Sequence, residues 1–84
     1  MDQIRVELTL AATGARVDFL LPLTRPIYEY LPDMARQIEQ LDPTIQFERG
    51  QPLFLCDLEQ RALLDLGKAL GEQGVRNGAR LSLC

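Results

Sequence analysis

The segment "IRVELTL", residues 4–10, sets Ile4, Val6, Leu8 and Leu10 against Arg5, Glu7 and Thr9. A period of two belongs to a strand with one dry face. The turn "AATGAR" follows, and "RVDFLLPL" resumes the alternation through Val17, Phe19 and Leu21. The chain therefore opens on a β-hairpin, and Pro22 ends its second strand because proline has no amide to give a neighbour.

From Thr24 the period changes: Ile27, Leu31, Met34, Ile38 and Leu41 recur at steps of four, three, four and three, the spacing of one helix face. Pro26 suits the first helical position, where a missing N–H is no loss. Pro32 removes a hydrogen bond and presses on the turn before it. That leaves two readings, a kink within one helix or a helix that begins at Pro32, and the unbroken stripe favours the kink. Tyr28 and Tyr30 lie off the stripe, as a second candidate surface or as side chains partly covered by the adjoining loop.

Next, "DPTIQFERGQP" reads as a loop with Ile45 and Phe47 tucked against the core. "PLFLC" reads as a strand with Leu53 and Leu55 on one face and Phe54 and Cys56 on the other. A short strand is expected around Ala62 to Leu64, a helical turn near Lys68 to Leu70, and a last strand from Ala79 to Cys84, with Gly71, Gly74 and Gly78 as turn residues. The order gives an α+β fold, a mixed sheet of four or five strands with one main helix packed across one face.

Composition narrows the function. Eighty-four residues, 46% of them hydrophobic, suffice for one core and not for two. A net charge of −3 and eight dispersed Arg with a single Lys disfavour nucleic acid and acidic membranes, which need clustered cations. No apolar run approaches the roughly 20 residues of a membrane span, and no charged-then-apolar leader opens the chain, so a cytoplasmic protein without direct membrane insertion is expected. Two cysteines without histidine are too few for a Cys/His zinc site. No metal and no cofactor are expected, and the cysteines are read as free thiols.

Over nearly its whole length the chain resembles a β-grasp, ubiquitin-like domain. The residues that carry the resemblance are the opening hairpin, "RPIYEYL", "PLFLC" and the closing "LGEQGVRNGARLSL". Residues 1–84 are thus expected to form a single ubiquitin-like domain. Within that class, "VDFLLPLTRPIYEYLPDMARQIE" and "KALGEQGVRNGARLSL" are most similar to bacterial YukD-like proteins and to the ubiquitin-like domains of membrane components of type VII secretion systems. Pro32 stands where those domains often carry a proline.

The resemblance implies a protein–protein interaction module, an accessory or regulatory component of a bacterial type VII secretion system. Its partners would be membrane components of the apparatus, which could hold it at the inner face of the membrane. No Gly-Gly follows the last strand. An activating enzyme needs a slim, mobile terminal glycine, and Cys84 at a strand end is neither, so a non-conjugating role is favoured. The rival reading is a modifier or sulfur carrier acting through its C-terminus, and a third is a piece of a larger membrane component.

No enzymatic chemistry emerges. Cys56, Cys84, Ser82 and Thr13 lack a histidine base, and Glu29 with Asp33 reads as a solvated helix surface. The candidate site is a protein-binding patch of Phe54, Arg5, Arg80, Ser82 and Cys84, since alternation that buries Leu53, Leu81 and Leu83 sends their neighbours outward. Aromatic and Arg side chains contribute disproportionately to interfaces. The β-grasp order would lay "PLFLC" antiparallel to the last strand. Phe54 then falls opposite Ser82, Cys56 opposite Arg80 and Cys84 opposite Pro52, with the two thiols too far apart to bridge. A homodimer through an edge strand or the Phe54 face stays open.

Overall fold

The computed structural model describes residues 2–48 and 50–84. The hairpin forms as its alternation predicts: β1 (Gln3–Leu10) and β2 (Arg16–Pro22) pair antiparallel, with Ile4 opposite Leu21, Val6 opposite Phe19 and Leu8 opposite Val17. Gly14 turns the chain at a φ of 76°, a left-handed conformation that costs glycine little. The helix α1 spans Ile27–Leu41, and β3 (Leu55–Asp57), β4 (Ala62–Leu63) and β5 (Ala79–Leu83) complete a five-stranded sheet in the order β2-β1-β5-β3-β4. The sheet is mixed. β1 and β5 run parallel, and the other pairs run antiparallel.

The core lies between α1 and one sheet face. Ile27, Leu31, Met34 and Ile38 from the helix join Val6, Leu8, Leu55 and Leu81 from the strands in a single buried cluster. Ile45, Phe47 and Leu53 pack against it from the long loop, and the Phe47 N–H donates to Glu39 Oε2 at 2.9 Å.

The helix corrects two readings of the stripe. Leu41 is 69% exposed, because a step averaging 3.5 residues drifts about 40° from the helical repeat over two heptads. Tyr30, in contrast, is buried. It stands three residues after Ile27 and four before Met34, so a stripe wide enough to cover the sheet takes it in. Burial pushes the Tyr30 phenol up to about 12, against an opposing pull from Arg25. Among the described residues, its hydroxyl has no hydrogen-bond partner. Tyr28 remains exposed.

Pro26 sits one position earlier than expected, as the N-cap residue. With no capping side chain there, a loop does the work. The N–H groups of Ile27 and Tyr28 donate to the carbonyls of Lys68 and Leu66 at 3.2 and 3.0 Å, satisfying donors that a helix start leaves open. Pro32 lies inside a continuous α1. Both it and Tyr28, whose carbonyl loses its partner, are exposed, so water can take the vacant acceptor.

The expected helical turn near Lys68 to Leu70 lies slightly later, as a 3₁₀ turn over Gly71–Gln73. Gly71 is there for space: a Cβ would meet the Leu23 carbonyl oxygen at 3.1 Å. Asp57 is almost fully buried at the end of β3. Its carboxylate accepts from the N–H groups of Glu59 and Gln60 at 2.9 and 3.2 Å and from Gln60 Nε2 at 2.8 Å, which fixes the turn leading into β4.

Candidate protein-binding face

Alternation along each strand leaves the sheet's second face uncovered by the helix. β5 buries Ala79, Leu81 and Leu83 and turns Arg80 and Ser82 outward, while β3 buries Leu55 and Asp57 and turns Cys56 outward. Backbone pairing continues past both strand ends. Phe54 and Cys84 exchange hydrogen bonds at 2.9 and 3.0 Å, and the Leu58 N–H donates to the Arg80 carbonyl at 3.0 Å.

These bonds correct the expected register. Phe54 lies opposite Cys84, not Ser82; Cys56 lies opposite Ser82, not Arg80. Cys84 therefore does not face Pro52. The difference is a slip of two residues, which leaves every side chain on its expected face because the side-chain period is also two. Facing was legible from alternation, whereas register depended on the length of a loop whose path the sequence does not specify.

The slip has a chemical consequence. Cys56 and Cys84 become diagonal neighbours on one face, with their sulfurs 3.4 Å apart, so the expectation that the thiols are distant is overturned. Both are free. The Cys84 thiol is pushed up by burial first, and then by the hydrogen bond and charge of Cys56 beside it.

Four of the five candidate residues gather at the β5–β3 side. Phe54, 39% exposed, stands beside Cys84; Ser82 lies next along β5, and Arg80 beyond it against Leu58. Arg5 shares the face but not the neighbourhood. Its N–H donates to Asn77 Oδ1 at 2.8 Å and its carbonyl accepts from Gly78 at 2.7 Å, which puts it at the opposite end of β5 from Phe54, roughly 20 Å away along the strand.

The sequence reading missed three exposed apolar members of this face: Leu20 of β2, paired with Arg5 at the far end, and Leu58 and Leu63 on the side of Phe54. Leu63 in β4 pairs with Cys56 and is 63% exposed, and Leu58 is exposed as well. Phe54, Cys56, Leu58 and Leu63 thus form an apolar half of the face, next to a charged half that carries Arg16, Asp18, Glu7 and Arg80. The available signal was the short strand expected around Ala62 to Leu64, which the structure forms over Ala62–Leu63. Among the described residues, no three His, Cys, Asp or Glu side chains gather as a metal would require.

A five-stranded mixed sheet gripping one helix, with β1 and β5 parallel at its centre, defines a ubiquitin-like β-grasp domain. The chain belongs to the YukD family: residues 4–83 match the model described as WXG100 protein secretion system (Wss), protein YukD. The structure is similar to the ubiquitin-like domain of the Mycobacterium tuberculosis type VII secretion system protein EccD1, with a TM-score of 0.77 at 21% identity over 99% of this chain and 98% of that one. It is similar to the EccD5 ubiquitin-like domain from Mycobacterium xenopi, with a TM-score of 0.83 at 20% identity over 100% of this chain and 94% of that one. A chain of the MycP5-free ESX-5 inner membrane complex also matches, with a TM-score of 0.72 at 22% identity; this chain aligns over its full length to 21% of that longer one. No curated protein matches the chain in sequence. Among the described residues, no helix is long and apolar enough to cross a membrane.

Proposed function

We propose that residues 1–84 act as one non-conjugating, non-enzymatic ubiquitin-like interaction module, an accessory or regulatory component of a bacterial type VII secretion system. The observation that carries this reading is the family match across residues 4–83. The ESX-5 inner membrane complex, in which a longer chain contains a domain of this shape, supports membrane components of the apparatus as partners. Through them the module would sit at the inner face of the membrane.

Its working surface is the outer sheet face. Phe54 supplies a rigid aromatic anchor, Leu58 and Leu63 extend the apolar area, and Arg80 contributes charge at its border, a composition that interfaces favour. Ser82 and Cys84 fill the strand between. Arg5, at the far end of the face, would touch only a partner that spans β1 as well.

Complementation tests the reading. In the native host, deletion of this chain should reduce export of the system's substrates, and the wild-type chain should restore it. Export that proceeds unchanged in the deletion strain would refute a secretion role.

A further inference from the structure

The chain has two cysteines, separated by 28 positions, and the fold brings their sulfurs to 3.4 Å. We infer that Cys56 and Cys84 form a redox-active dithiol, closing to a reversible cross-strand disulfide on reaction with a low-molecular-weight disulfide. The observation behind this is the diagonal placement of the pair on one sheet face, set by Cys56 facing Ser82 and Phe54 facing Cys84.

Closing the bond requires the sulfurs to approach by about 1.4 Å, to a disulfide length of about 2.04 Å. The chain can supply that movement. Rotation about the two Cα–Cβ bonds brings the sulfurs closer, and Cys84 lies just beyond the last residue of β5, where its backbone hydrogen bonds are those to Phe54. Among the described residues, each thiol's hydrogen-bonding partner is the other, so closure breaks no hydrogen bond to a third side chain.

Exposure assigns the order of steps. Cys84 is exposed and Cys56 half-buried, so the small disulfide RSSR meets Cys84 first, and the fraction of Cys84 that has lost its proton attacks one of its sulfurs. A mixed disulfide forms on Cys84 as one RS⁻ leaves. The Cys56 thiolate then attacks the Cys84 Sγ, the intramolecular S–S bond forms, and the second RS⁻ departs. The two protons lost by the protein thiols end on the two RS⁻ groups. The protein pair is oxidised by two electrons and RSSR is reduced to two RSH. Added thiol runs the sequence backwards.

The bridge would tie β3 to the end of β5 at one end of the outer face, beside Phe54. It constrains a long loop in the unfolded chain, so the oxidised form should melt higher by at least about 5 °C. Bridging itself does not depend on what the face binds.

The test is incubation of the full chain with oxidised glutathione, followed by intact mass and non-reducing peptide mapping. The expected product is a monomer that has lost two hydrogens, with the Cys56 and Cys84 peptides joined, and that returns to the free dithiol on adding reduced glutathione. Cys56→Ser and Cys84→Ser should each stop at a mixed disulfide. Wild-type protein that carries glutathione on both cysteines, or that keeps both thiols free, would overturn the inference.

Discussion

Phe54 and Cys84 face each other across the β3–β5 seam, joined by two backbone hydrogen bonds of 2.9 and 3.0 Å. The pair sets the register of the apolar half of the outer face. It puts Cys56 against Ser82 and Leu58 against Arg80; the separate β3–β4 pairing sets Leu63 against Cys56, and Phe54 stands at one end of a continuous surface.

Phe54→Ala tests that surface. Phe54 is partly exposed and lies outside the buried cluster, so its truncation should leave the fold nearly as stable as before. Binding to the partner should weaken by about tenfold or more, as expected when an aromatic anchor is removed. Titration calorimetry with the purified partner measures this, and unchanged affinity would remove Phe54 from the interface.

Tyr30 offers a stability test with a defined sign. Its pKa is raised to about 12 by burial, so the neutral phenol is the form the fold favours. That contribution is complete below the unfolded pKa, near 10, and is lost as pH rises through about 12; stability should fall by about 2 to 3 kcal/mol across that window. Tyr30→Phe removes both the titration and an unpartnered buried hydroxyl. The variant should gain about 1 kcal/mol at neutral pH and keep more of its stability at high pH. Urea unfolding at a series of pH values reads both effects, and parallel alkaline losses in the two proteins would show that Tyr30 is not the titrating group.

Arg61 carries a different strain. It holds a φ of 55° in the turn before β4, where an L side chain crowds its own backbone. Glycine relieves the crowding but adds unfolded-state freedom, so Arg61→Gly should stabilise by up to about 1 kcal/mol. A lower denaturation midpoint in the variant would mean that the Arg61 side chain supports the turn.

Much of this fold was legible because local pattern and tertiary burial agree. The alternation in "IRVELTL" gives β1 its dry face, and the stripe from Ile27 to Ile38 gives α1 its own. The misreadings in α1 come from the width and drift of its stripe, and the one in the sheet comes from distance along the chain. Tyr30 is buried because the sheet beneath α1 is broad, and Leu41 is exposed because the stripe drifts off that sheet. The site was legible in its facing but not in its register. Nothing local to "PLFLC" says whether Phe54 meets Ser82 or Cys84, since both choices keep Leu53 and Leu55 inward. The proximity of Cys56 and Cys84 was therefore hidden, whereas the short strand that carries Leu63 was expected and only its pairing with Cys56 was not.

The most direct measurement is affinity co-purification of the tagged chain from its native host in mild detergent, with intact-mass analysis of the chain itself. A module of the secretion apparatus should recover that system's membrane components while its own mass shows no covalent attachment to another protein. Recovery of the chain covalently joined to many unrelated proteins would contradict the account, because its C-terminus would then be a site of conjugation.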